Sequence, residues 1–170
     1  MADTSIAVRL AAARGLRDLG PLGPAVSARV HEAFVAFTTS PLTELRMLGV
    51  EGLVNTGAAA TLVLPAARSA LADSQAPVRL SGVVALGRLG PPASVAIPDL
   101  ERTLRDVNAI VRSASASAIG QIAPQQATLA LRRALRDPEE GVRREAAHAL
   151  EGFHRRGGQD DAPPEPSRRP

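Results

Sequence analysis

The sequence predicts an all-α fold, a right-handed α-solenoid (α-α superhelix) of antiparallel helix pairs with about four and a half repeats. Three observations carry that prediction. A helix-sized phrase recurs at a nearly constant interval, its apolar places keep the period of a helix, and a further helical segment lies between successive copies. Composition agrees. Hydrophobic residues make up 45% of the 170 residues while aromatics make up 2%, with no Trp or Tyr and three Phe, so Leu, Val, Ile and Ala must fill the interior. A chain of this length can bury a sizeable core as one domain.

The phrase reads "AVRLAAARGLRDLG" from Ala7, "ELRMLGVEGLVNTG" from Glu44, "PVRLSGVVALGRLG" from Pro77, "IVRSASASAIGQIA" from Ile110 and "GVRREAAHALEGFH" from Gly141. Its first apolar residues, Val8, Leu45, Val78, Val111 and Val142, are separated by 37, 33, 33 and 31 residues. Counting that residue as place one, apolar or small side chains fall at places one, five, eight, nine and twelve, as in Val78, Gly82, Ala85, Leu86 and Leu89. That spacing is one face of a helix and lacks the alternation of a strand. Each phrase is therefore the second helix of a repeat that buries its apolar face only against its neighbours.

The first helices lie upstream. They read "HEAFVAFTTS" to Ser40, "LPAARSALAD" to Asp73, "IPDLERTLRD" to Asp106 and "TLALRRALRD" to Asp137, with Leu71, Leu104 and Leu135 in register. Pro65 and Pro98 occupy the same place in two of them, where a proline either kinks a helix or marks its first turn. "GPLGP", "NTG", "GPP" and "AP" supply the connecting turns. The N-terminal copy has no room before Asp3 for a first helix, so that repeat is expected to lack a cover, which invites self-association or the docking of another chain. The helical repeat domain is placed at residues 1–156. Residues 157–170, "GGQDDAPPEPSRRP", are polar and proline-rich and are expected to form a disordered tail.

An Asp stands five residues before place one in four copies (Asp3, Asp73, Asp106, Asp137), with Ser40 in the other, and an Arg follows place one in all five: Arg9, Arg46, Arg79, Arg112 and Arg143. Five arginines in a row suggest a binding stripe. The alternative is a structural ladder in which the Asp accepts orphan N–H groups ahead of a helix while the Arg pairs with it and with the Asp of the neighbouring repeat.

The Asp turn, Val78–Arg79, spaced alanines and Ala85–Leu86–Gly87 resemble HEAT repeats, most closely the short bacterial kind known as phycobilisome-lyase-like HEAT repeats. The resemblance spans residues 3 to 154 and implies a solenoid whose second helices line the concave side. On that reading places three, seven and ten face away from the core, and Met47, Glu51, Val54, Leu80, Val84, Ser113, Ser117, Arg144 and His148 become the candidate partner-binding residues. Met47, Val54, Leu80 and Val84 would form an exposed apolar patch; tight curvature that buries them against adjacent repeats is the alternative. The small run from Ser113 would let another backbone approach closely.

Little in the chain suits catalysis. His31, His148 and His154 lack the four-residue step of a helical metal pair, no G-x-S-x-G elbow occurs, and a lysine-dependent phosphate loop is impossible without lysine. Zero Cys excludes thiolate chemistry, disulfides and cysteine-built zinc sites. No cofactor and no metal is expected, and the lyase activity in the family's name is set aside because the aromatics expected around a bilin are missing. A non-catalytic protein–protein interaction module, a scaffold or regulatory subunit, is the function expected. The alternative is nucleic-acid binding through Arg132, Arg133, Arg136, Arg143, Arg144, Arg155 and Arg156, tempered by five interspersed acids and a net charge of only +3. No signal peptide is recognisable in "MADTSIAVRLAAARG" and no stretch reaches the roughly 20 apolar residues of a spanning helix, so a cytoplasmic protein is expected. The abundance of Arg and Ala points to a GC-rich genome.

Overall fold

A computed structural model of the chain describes residues 2–18 and 24–157; within these helices the side chains of residues 2–5, 9, 24–25 and 153–157 are left aside. The second helices are α1 (Ala2–Asp18), α3 (Thr43–Asn55), α5 (Ala76–Leu89), α7 (Ala109–Ile122) and α9 (Glu140–Gly157). The first helices are α2 (Pro24–Phe37), α4 (Ala60–Ala70), α6 (Ile97–Thr103) and α8 (Thr128–Ala134). No strand occurs among the described residues. Residues 158–170, which hold nearly all of the expected tail, lie outside the described residues.

Local chemistry sets the boundaries. Pro77 stands in the first turn of α5, where its missing N–H costs nothing. Asn108 caps α7, its side chain accepting the N–H of Ile110 at 2.9 Å. Gly57 (φ 73°) and Gly90 (φ 64°) take the left-handed backbone conformation that ends α3 and α5. The first helices end earlier than the sequence predicts, and α2 and α4 also begin earlier, at Pro24 and Ala60. They stop three residues before the Asp, and α6 and α8 are each entered through a 3-10 segment, Pro91–Ala96 and Pro124–Ala127. Pro98 falls in the first turn of α6, whereas Pro65 lies inside α4.

Packing follows chain order. Each second helix contacts the next, and each first helix from α2 onward packs on the second helix that follows it. The result is one continuous interior running from Val30 to Ala149, with a small satellite of Ala13, Leu45 and Leu48 under α1. Leu53, Leu86, Ile119 and Leu131 are wholly enclosed. The Thr103 and Ser115 hydroxyls lie 2.7 Å apart inside, joining α6 to α7, and each also bonds a carbonyl of its own helix, whereas the buried Nε2 of His31 has no hydrogen-bond partner among the described residues.

Candidate functional site

The Asp and Arg recurrence resolves into a ladder with a direction. The Arg of α3, α5 and α7 reaches forward to the Asp of the following repeat and binds it in bidentate fashion. Nε and Nη2 of Arg46 meet Asp73 at 2.7 and 3.0 Å, those of Arg79 meet Asp106 at 2.6 and 2.7 Å, and those of Arg112 meet Asp137 at 2.8 and 2.9 Å. The remaining Nη1 of Arg79 donates to the carbonyls of Asp73 and Ser74, so one guanidinium ties its own turn to the next. Arg46 and Arg112 do the same. Each Asp also accepts the N–H two residues on, at Gln75, Asn108 and Glu139, closing a turn in the connection rather than capping the helix itself.

These pairs are largely withdrawn from solvent, with 7% of the Asp106 side chain and 12% of Arg79 exposed. The donating guanidinium holds the carboxyls of Asp73, Asp106 and Asp137 below the usual carboxylate range, overcoming the opposing effect of burial. Arginines so occupied are not free to form a stripe. Arg143 keeps the grip on its own turn, donating to the carbonyls of Asp137 and Pro138 at 2.8 and 2.7 Å. Asp3 and the side chain of Arg9 lie outside the described side chains.

The candidate strip is mostly covered. Met47, Val54 and Leu80 are half-buried against the main interior, and only Val84, 47% exposed, stands clear. Glu51 accepts from Nη1 of Arg17 at 3.2 Å. Further along the stack, at place ten, a Cβ at Gly87 would stand 2.8 Å from Oε1 of Gln121 and one at Gly120 would stand 2.9 Å from the Ala149 Cβ, so α5 approaches α7, and α7 approaches α9, closely at these glycines. Arg144 and His148 are exposed on α9.

Ser113 and Ser117 have a different setting. Both are half-buried in the wall of an open groove of about 470 Å³ between α7 and α9. Its other walls are Ala114 and Ile110, the latter 64% exposed, and Glu139 and Glu145 stand at its edge. Ser113 donates to the Gly141 carbonyl at 3.4 Å. The two serines are among the candidates read from the sequence, whereas Ile110, Glu139 and Glu145 are not. Their signal was the coincidence of a small-residue run in one phrase with two acids at the start of the next.

The seven arginines of the alternative site are dispersed. Arg132 and Arg133 on α8 and Arg136 in the turn after it are exposed without an acid partner among the described residues, Arg144 is on α9, Arg143 is held in the turn, and Arg155 and Arg156 lie outside the described side chains. Arg105 joins Arg133 at a small recess of about 160 Å³ that also contains Glu101 and Asp137. His31 is half-buried, His148 is exposed and His154 is outside the described side chains. Among the described residues, no group of three or more His, Asp or Glu is arranged to hold a metal ion, and no helix is long and apolar enough to cross a membrane.

Comparison with known proteins adds the family. Residues 97–164 match the HEAT repeats. The crystal structure of an engineered protein superposes with a TM-score of 0.68 over 87% of this chain and 74% of that one, at 21% identity, a likeness of fold alone. No curated protein gives a significant match. Residues 97–164 thus carry HEAT repeats, and the recurrent phrase and the ordered stack of helix pairs along the rest of the described chain are consistent with a HEAT-repeat protein.

Proposed function

We propose that the chain is a non-catalytic protein-interaction module, a scaffold or regulatory subunit, that holds a segment of a protein partner against the row of second helices. The observation that carries this reading is the groove between α7 and α9. It offers an exposed aliphatic side chain in Ile110, a floor of small residues and two carboxylates at the rim. Those features suit a segment with an aliphatic anchor flanked by a basic residue. Val84, exposed on the preceding second helix, and Arg144 and His148, exposed on α9, belong to the proposed surface but do not line the groove itself.

The test is affinity capture from native extract with the wild type and with an Ile110→Asp/Glu139→Arg variant, which changes two exposed side chains and is expected to leave thermal stability unaltered. A protein retained by the first and lost by the second supports the reading. Equal retention removes the groove from it.

A second reading, nucleic-acid binding, is favoured by one observation: Arg132 and Arg133 on α8 and Arg136 in the following turn are exposed without acid partners among the described residues. A mobility shift that weakens steeply with added salt and disappears in Arg132→Ala/Arg133→Ala/Arg136→Ala supports it, and no shift at low salt excludes it.

A further inference from the structure

Helix α1 carries the same face as its four successors, and among the described residues no helix covers it. Val8, at place one, is 62% exposed, whereas Leu45, Val78, Val111 and Val142 are at most 3% exposed. Places five and eight are Ala12 and Gly15, both exposed, while the corresponding residues of the other four second helices are all buried. Inside the solenoid a first helix lies across those two places. The Phe34 ring presses on Gly52 so closely that a Cβ there would stand 2.2 Å from it, and a Cβ on Gly82 would stand 2.6 Å from the Ala67 carbonyl. At Gly15 nothing lies within 4 Å. Beside it opens a recess of about 590 Å³ lined by Leu16, Val26, Arg29, Val30 and Ala33, and Val26 is itself 55% exposed.

We propose that this face is a vacant first-helix seat and that an amphipathic helix from another protein chain fills it, extending the solenoid's internal interface by one step. The internal interface states the chemistry of the occupant. First helices meet second helices with apolar residues spaced three or four apart, as in Val30, Phe34 and Phe37 or Val63, Ala67 and Ala70. The occupant therefore presents such a seam, with one bulky side chain over Gly15 as Phe34 lies over Gly52. Arg29, at the edge of the recess and without an acid partner among the described residues, favours a carboxylate on its flank. A second copy pairing α1 with α1 would bring only Ala7, Val8, Ala11, Ala12 and Gly15 together, small side chains with nothing to enter the recess. The opposite end offers no equivalent seat, because α9 turns Arg144, His148 and Glu151 to solvent.

The probe is a labelled synthetic peptide of residues 24–40, the chain's own first-helix sequence, titrated against the full chain by fluorescence anisotropy. Saturable binding is expected, weakened at least tenfold by Ala12→Arg/Gly15→Arg at unchanged melting temperature, with Val8→Glu as an independent variant and a Phe34→Ala peptide as a weaker ligand. Absence of binding, or equal binding by wild type and both variants, overturns the proposal. So does a concentration-dependent dimer, seen by sedimentation, that the same substitutions abolish, since the occupant would then be a second copy. This surface is separate from the α7–α9 groove, so either site can fail without the other.

Discussion

Helices α1 and α5 carry one phrase in two settings. Val8 and Val78 hold the same place, one 62% exposed and the other 2%; Gly15 has open space beside it, while the matching Ala85 is 2% exposed. At place nine Leu16 is half-buried and Leu86 wholly enclosed. The phrase thus encodes a helix with a receptive face. What that face gains depends on the neighbour across it, and stability in a solenoid is a sum of such nearest-neighbour terms.

The largest expected contrast is at place nine. Leu86→Ala removes an enclosed side chain in the middle of the stack and should cost about 2–5 kcal/mol, whereas Leu16→Ala, on a helix with a single second-helix neighbour, should cost about 1 kcal/mol. Urea denaturation followed by circular dichroism measures both. Equal losses would mean that α1 is as well supported as α5, contrary to the comparison.

Next in size is the ladder, which links inner repeats. Arg79→Ala leaves the Asp106 carboxylate withdrawn from water without its bidentate partner and should cost about 2 kcal/mol, loosening α5 from the following turn. Capture of a partner by the α7–α9 groove should survive, because Arg79 takes no part in it. Acid sensitivity has a definite sign. The Asp106 carboxyl is depressed from its ordinary 3.8 by the hydrogen bonds from Arg79, so its contribution is fully present above that value and is lost as pH falls through the lower folded value. Asp73 and Asp137 behave alike. Melting temperature should therefore hold from neutrality to about pH 5 and fall below about pH 4. Asp106→Asn should be less stable at neutrality and show a shallower acid decline; an unchanged acid limb would place the sensitivity elsewhere.

What was legible in the sequence follows from the same physics. Periodicity reports which side chains share a face, so the five second helices, their apolar places and the recurring Asp and Arg could all be read from one chain. Distance to a neighbour leaves no such mark. Met47, Val54 and Leu80 have the spacing of an outward strip, yet they are half-buried against the main interior, and nothing in their spacing reports it. The sequence carries α4, α6 and α8 three residues too far at their C-terminal ends because Leu71, Leu104 and Leu135 keep helical register in residues that serve as helix ends and turns. Nor does spacing give the direction of the ladder, since Arg79 and Arg112 each have an Asp six residues before them and another 27 or 25 residues ahead.

The smallest effect is the sharpest, because one chemical change should have opposite signs in the two settings. A methyl at Gly82 would lie 2.6 Å from the Ala67 carbonyl and 3.0 Å from the Ala70 Cβ, and neither a backbone oxygen nor a packed alanine yields cheaply. Gly82→Ala should destabilise by about 1–3 kcal/mol as α4 and α5 are forced apart. Gly15→Ala meets no atom within 4 Å, so the backbone term alone remains, and replacing a helical glycine by alanine should stabilise by about 0.5–1 kcal/mol. Thermal melts of the two single variants and their combination decide it. The sites lie on helices with another second helix between them, so their effects should add. A loss of stability in Gly15→Ala would mean that the seat is already filled.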